Sequence, residues 1–339
     1  MESRKAYLIY LKKYMELQDI TDLLAEPDSK LIEQQIINFL IRMKEKGKHY
    51  SSLHNYVTAV LSFYKINDVV LNTRKISKFM PEQSRMKKDR AYTHEEIGKL
   101  LEIADERMRV IILLMASTGM RVGALPELKL RNIEKKSDSY KITVYENYKQ
   151  EYVTFCSHEC RRAIDSYLDF RQRYGENLGL DSLLIREQFD VRDHFAVCYP
   201  KKTRSHTLTY KLMDLALRCG IRKKGQLLEG QTSADGASLR KDVAIAHGFR
   251  KFFTTQCINS KVDPQVREML LGHKIGLASC YYRPTEEEIL NEYLKAVDLL
   301  TINEENRLKR KVEKLEIERN RMDIMERQIA DMQSKMYQV

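Results

Sequence analysis

The chain has 339 residues, 43% hydrophobic and 32% charged, a length that can hold two domains with a core each. Its formal charge of +11 and pI near 9.2 point to a polyanionic partner, nucleic acid first among them. The longest uncharged apolar run, 110–120, is short of the roughly 18 residues a membrane helix needs, so no membrane partner is expected. No apolar stretch follows the early charges, so a secretory signal is not expected either. The six scattered cysteines suggest reduced thiols in a cytoplasmic setting.

Residues 1–80 read as an all-helical domain. Apolar positions recur at helical spacing through Tyr7, Leu8, Leu11, Tyr14 and Met15. A second helix carries Leu31, Ile32, Ile36, Phe39, Leu40 and Met43 and stops at Gly47. A third starts near Ser51 and carries Leu53, Tyr56, Val57, Val60, Leu61 and Tyr64. Through residue 90 there are 17 Lys and Arg against 11 Asp and Glu, a net of +6, which is over half of the chain's excess. That bias suits a face gripping a polyanion. From 81 to 92 the pattern lapses into a basic linker containing Arg85, Lys87, Lys88 and Arg90.

A second domain spans 93–300. Thr93 and Glu96 form a capping box for a helix that packs Ile97, Leu100, Leu101 and Ile103. The next helix, Val110 to Ala116, is apolar on every face and must be buried; it ends in Thr118-Gly119-Met120-Arg121. Residues 140–156 alternate around Asn147-Tyr148-Lys149-Gln150 and predict a β-hairpin. Cys156, His158 and Cys160 lack a second ligand pair nearby, so this stretch reads as a strand entering a helix rather than a zinc site. Helices follow at 163–174, stopped by Gly175, and at 208–218, stopped by Gly220. Between them Lys201, Lys202 and Arg204 sit in a basic, hydroxyl-bearing loop suited to backbone phosphates. The stretch 225–236 reads as a mobile loop. The fold class is therefore mainly α with a small β-sheet: a helical N-terminal domain, a mixed α+β domain, and a tail.

His247 and Arg250, three apart, share one helix face. Asp263-Pro264 predicts a helix start and Gly272 its stop, leaving His273 just beyond the end; Tyr281-Tyr282 follow. Thr285 and Glu288 form another capping box, opening a helix through Leu290, Tyr293, Leu294 and Val297. In the tail, 301–339, Leu308, Leu315, Met322, Ile329 and Met336 recur every seven residues, an amphipathic helix or short coiled coil. Two histidines, arginines and a tyrosine suit holding a phosphate while a phenolic oxygen attacks it.

This constellation resembles the tyrosine recombinases of the phage-integrase type, with a flavour of the archaeal mobile-element branch. The family pattern is His-x-x-Arg, then Leu-Gly-His 23 positions after that arginine, then the tyrosine nine further on. Here those are His247, Arg250, His273 and Tyr282. The family's first arginine follows a buried helix in a Thr-Gly-x-Arg turn, which Arg121 matches. Two departures stand out: Ala124 where the family usually has an acid, with Glu127 as a substitute support for Arg121, and Lys251 where it usually has histidine.

The resemblance implies a catalytic set of Arg121, Lys149, His247, Arg250, His273 and Tyr282, with Lys149 on the hairpin as the acid for the leaving oxygen and Lys141 as its rival. It implies a 3′-phosphotyrosyl intermediate and no cofactor or metal. It also implies a double-stranded DNA partner and a homo-oligomer, a tetramer on two DNA sites, with residues 1–80 clamping the duplex and the linker basics along phosphates. Two other readings stay open at this point: a type IB topoisomerase-like enzyme, and a non-catalytic basic DNA-binding protein.

Overall fold

The computed structural model describes residues 2–15, 24, 28–82, 89–136, 138–222, 242–276 and 281–336. The predicted positions Arg85, Lys87 and Lys88 and the loop 225–236 lie outside them. The described residues fall into two compact units, one up to residue 82 and one from residue 89 on.

The first unit is helical: α1 (Glu2–Met15), α2 (Ser29–Glu45), α3 (Tyr50–Ile66) and the short α4 (Thr73–Ser77). Its core gathers Tyr14, Ile32, Ile36, Phe39, Leu40, Leu53, Val60, Tyr64 and Ile76, the positions the helical periodicity selects, plus α4. Aromatic edges set the packing, with Tyr14 meeting Phe39 at 5.1 Å and 84°. Buried Glu33 ties α2 to α4 by accepting from Asn72 N at 2.7 Å and Lys75 Nζ at 3.0 Å. Of the expected apolar stripe on α1, Tyr7 and Leu8 face solvent, as does Leu31 on α2. Periodicity marks a face, and the packing partner decides how wide a strip of it is covered.

The second unit begins with α5 (His94–Glu102), whose capping box forms as read, and α6 (Glu106–Thr118), which is buried on all sides. Two 3-10 turns lead to an antiparallel sheet ordered β1 (Ile133–Lys136), β2 (Ser139–Val144), β3 (Tyr152–Phe155). The register pairs Ile142 with Ile133 and Thr154, and Val144 with Tyr152. Of the three strands, β1 alone escaped the sequence, because Ile133-Glu-Lys-Lys lacks apolar alternation. Next come α7 (His158–Arg173), the short α8 (His194–Cys198), α9 (Ser205–Arg218), α10 (His247–Asn259), α11 (Pro264–Leu270), α12 (Glu286–Leu300) and α13 (Glu304–Met336). Ser205 and His206, read as loop, form the first turn of α9.

One core joins α6, α10 and α12 to the sheet. At its centre Tyr293 of α12 is fully buried and donates to Ser117 O at 3.0 Å, stitching α12 to the end of α6. The carboxylate of Glu159 on α7 accepts from Ile302 N and Asn303 N, at 2.7 and 2.9 Å, and so anchors the start of α13. Beyond that anchor, Leu308, Leu315, Met322 and Ile329 are exposed, so the heptad stripe has no partner within the described chain.

Bordering this core, with Arg171 over the ring of Tyr167, lies a buried charge triad. Glu176 receives Arg171 Nε and Nη2 at 3.0 and 2.5 Å and Arg186 Nη1 at 2.6 Å, and all three residues are at most 4% exposed. Burial pushes the Glu176 carboxyl up, but the bonds from Arg171 and then Arg186 outweigh it and hold it below the usual range. The charges are matched by further bonds to Leu183 O, Leu184 O and Val197 O. Removing one partner of such a set leaves charge uncompensated, so Glu176→Ala is expected to destabilise the fold by about 3–5 kcal/mol in urea denaturation. Because the folded value is lowered, this stabilisation is present above the ordinary carboxylate range and is lost as pH falls through the lowered value. The gap between wild type and Glu176→Ala should therefore narrow only in acid.

Candidate active site

The site forms where α6 and α11 end against α10. The last hydroxyls of α6 bond back one turn, Ser117 to Leu113 O and Thr118 to Leu114 O. Gly119 then turns left-handed at φ 62°. A side chain there would meet the Phe253 ring at 2.7 Å and Leu271 at 2.8 Å, so both conformation and space require glycine. The turn directs Arg121 outward, where it is exposed.

The end of α11 is a Schellman turn. His273 N donates to Glu268 O at 2.9 Å and Gly272 N to Met269 O at 2.8 Å, with Gly272 at φ 65°. Asp263 caps the other end through Gln265 N and Val266 N, with Pro264 in the first turn, as read from the sequence.

Arg250, on α10, reaches into the gap between these two helix ends and is 6% exposed. Its Nη1 donates to Gly119 O at 2.8 Å, and its Nη2 donates to Leu271 O at 2.6 Å and to His273 Nε2 at 2.6 Å. Both carbonyls sit at helix C-termini, where partial negative charge gathers. Burial, then the like charge of Arg121, pulls the guanidinium below its ordinary value.

Since a guanidinium only donates, His273 Nε2 must accept, which places the ring proton on Nδ1. That nitrogen faces Glu268 Oε2 at 2.5 Å. Glu268 itself is pushed up by burial but held below its usual range by His273 and Arg267. Sequence reading missed Glu268. The signal was there: a Leu-Gly helix stop folds the residue after glycine back over the one five positions earlier.

His247 opens α10 on the same side and is exposed. Partial burial, then the charges of Lys251, Arg250 and Arg121, lower its pKa, against which Asp89 acts weakly. Lys251 is pinned to Asp89 through O at 2.7 Å and Oδ1 at 2.6 Å. Arg121, His247, Arg250 and His273 are thus brought together. The Arg121 guanidinium makes no hydrogen bond or ion pair among the described residues. Glu127, expected to support it, instead accepts from Lys202 Nζ at 2.6 Å, and Ala124 is buried.

Lys149 sits exposed in the turn between β2 and β3, without a hydrogen bond among the described residues. Its rival Lys141 is engaged by Glu286 at 2.6 Å and Glu134 at 3.3 Å. Tyr282 stands apart from the cluster at 37% exposure. Slight burial and the acids Asp263, Glu288 and Glu292 raise its pKa, and neither arginine bonds it. Of the remaining basic positions, Lys201 and Arg204 are exposed, while Arg90 is bonded bidentately to Glu96, at 2.6 and 2.8 Å, and to Asp242 at 2.7 Å.

Fold and cluster together make a cationic candidate site in a mixed α+β unit, and comparison with known proteins gives its class. Residues 90–288 match the phage integrase family, more than half of the chain. The chain belongs to this family and is a tyrosine recombinase. It is 22% identical over 296 residues to tyrosine recombinase XerA of Thermococcus onnurineus, covering 86% of this chain and 88% of that one. It is 23% identical over 274 residues to tyrosine recombinase XerC of Staphylococcus carnosus, covering 76% and 79%. Among solved structures, the XerH site-specific recombinase bound to its difH substrate shares the fold at a TM-score of 0.53 and 19% identity, over 85% of this chain and 78% of that one. The Tn1549 transposon integrase with transposon right-end DNA does so at 0.53 and 14%, over 86% and 98%. No described helix is long and apolar enough to cross a membrane.

The bond pattern around His273 predicts a single tautomer. Nitrogen-15 NMR of the neutral imidazole should show Nδ1 protonated and Nε2 bare, and Glu268→Ala should weaken that preference, leaving Arg250 alone to hold it. A wild-type ring protonated on Nε2 would contradict the assignment.

Proposed function

We propose that the chain breaks and rejoins DNA strands at specific sites through a covalent bond between Tyr282 and a 3′-phosphate, without a metal. The observation that carries this reading is the pair of Arg121 and Arg250, one exposed and unengaged, one buried and bonded to His273, near enough for the charge of the first to act on the second. Two guanidinium forks facing one place repel each other unless an anion lies between them. A backbone phosphate matches that need in charge and shape.

In the proposed step the Tyr282 hydroxyl attacks phosphorus, forming the tyrosyl–phosphate bond and breaking the bond to the 5′ oxygen. Ionising a free phenol near pH 7 costs roughly 4 kcal/mol. His247, its pKa lowered by partial burial and then by its cationic neighbours, takes that proton. Arg121 and Arg250 stabilise charge on the non-bridging oxygens, His273 joins them as a donor once the phosphate displaces its Nε2 from Arg250 and that nitrogen takes up a proton, and Lys149 protonates the departing 5′ oxygen. Tyr282 must leave its acidic surroundings to reach the phosphate, which lowers the barrier to its ionisation. Rejoining is the reverse and needs no nucleotide, since the phosphodiester energy is retained.

As further parts of this reading, double-stranded DNA lies against Lys201, Lys202 and Arg204 and against Arg85, Lys87, Lys88 and Arg90 of the linker. Residues 1–80 grip the duplex, 81–92 connect, 93–300 carry the chemistry, and 301–339 meet a second copy in a tetramer on two DNA sites. Support comes from family membership, the basic charge, and the exposed heptad stripe of α13.

The test is trapping. The purified chain is incubated with nicked, fragmented genomic DNA of its source, and protein–DNA adducts are isolated under denaturing conditions and sequenced. Wild type should give adducts at recurring sequences, Tyr282→Phe none, and Arg121→Ala about 10²–10³ less at unchanged thermal stability. Adduct formation should also fall as pH drops through the lowered His247 value, below about 6.5. Adducts from Tyr282→Phe would remove the nucleophile, and relaxation of supercoils without site preference would favour a topoisomerase.

A further inference from the structure

The Tyr152 hydroxyl is a buried donor beside the site whose proton has no acceptor among the described residues. Tyr152 opens β3 opposite Val144, and its ring packs against Gly272 at the end of α11. A Cβ on Gly272 would come within 2.4 Å of Tyr152 Cδ1 and 2.5 Å of Cε1, so the ring occupies the space a side chain would fill. Tyr145 flanks it with ring centroids 6.5 Å apart. Wedged in this way, the phenol is held beside the Arg250 guanidinium and within the field of Arg121. Its oxygen is buried and lies close enough to Arg250 to feel that donor, yet its proton meets no acceptor among the described residues.

The chemistry of that neighbourhood identifies the missing partner. A phenol has one proton to give, and guanidinium groups offer no acceptor for it. A buried hydroxyl left unsatisfied is disfavoured, and most such groups have a partner in the working state of a protein. What two cations and one orphan donor share is an anion with several oxygens. We propose that the Tyr152 hydroxyl donates a hydrogen bond to a non-bridging oxygen of the DNA phosphate held by Arg121 and Arg250, as a further catalytic donor. This rests on the phosphate-cleaving reading above and adds a residue to it.

Tyr152 is not a second nucleophile. Burial, against the weaker pull of Arg250 and Arg121, pushes its phenol up to about 12, so it stays a neutral donor. Its ring is also locked against Gly272, whereas Tyr282 lies on the exposed stretch after residue 280.

Tyr152→Phe keeps the ring on Gly272 and removes only the oxygen. The variant should melt close to the wild-type temperature, since the proton of the hydroxyl it loses is unpaired. Single-turnover cleavage of a synthetic duplex recovered by the trapping experiment should slow about ten- to hundredfold, with non-covalent affinity little changed. A purely structural role is separated by sulfur substitution at the scissile phosphate. On one phosphorothioate diastereomer, where sulfur replaces the oxygen facing Tyr152, the Phe variant's deficit should shrink towards none; on the other it should persist. Wild-type rates for Tyr152→Phe, or the same deficit on both diastereomers, would overturn the proposal while Arg121→Ala remains defective. Failure of wild type to form any adduct would remove the parent reading and this one together.

Discussion

The structure of the candidate site depends on the three bonds of the Arg250 guanidinium. An arginine 6% exposed cannot be held by shape alone, because taking its charge from water is strongly unfavourable. Here the carbonyls of Gly119 and Leu271 supply compensation from two helix ends, and a neutral imidazole completes the set. Each bond to a carbonyl also fixes a backbone segment. Gly119 fixes the turn that projects Arg121, and Leu271 fixes the turn that presents His273. A substitution at Arg250 would therefore disturb the positions of two other site residues as well as removing its own charge.

That arrangement explains the two family departures found in the sequence. An acid three positions after Arg121 is replaced by Ala124, which is buried in the core. The guanidinium of Arg121 is left without a carboxylate among the described residues, and its placement comes from the rigid end of α6. Lys251, in place of a histidine, is drawn away to Asp89, where it adds positive charge beside His247 without entering the cluster. The acid that does belong to the site is Glu268, which reaches it through His273 rather than through either arginine.

Much of this was legible because local rules and tertiary need agree here. The all-buried stretch of α6, both capping boxes, Asp263-Pro264 and the hairpin from 140 to 156 follow from periodicity and capping chemistry, and all are present. The strand Ile133–Lys136 and the helix His194–Cys198 were not legible, since short elements held by neighbours carry little pattern of their own. Glu268 and Tyr152 escaped for a different reason: their significance lies in what the Schellman turn and the missing Gly272 side chain bring beside them. Spacing along the chain identified the residues that meet, but not the groups that hold them in place or the acidic surroundings of Tyr282.

The most direct test of the central claim is the structure of the protein on a cognate duplex carrying vanadate at the cleavage position. The account predicts one anion bonded by Arg121, Arg250 and His273 together, with the Tyr282 oxygen in line with the departing 5′ oxygen. Arg121 and Arg250 on separate phosphates, or an anion bound away from the gap between the ends of α6 and α11, would contradict it.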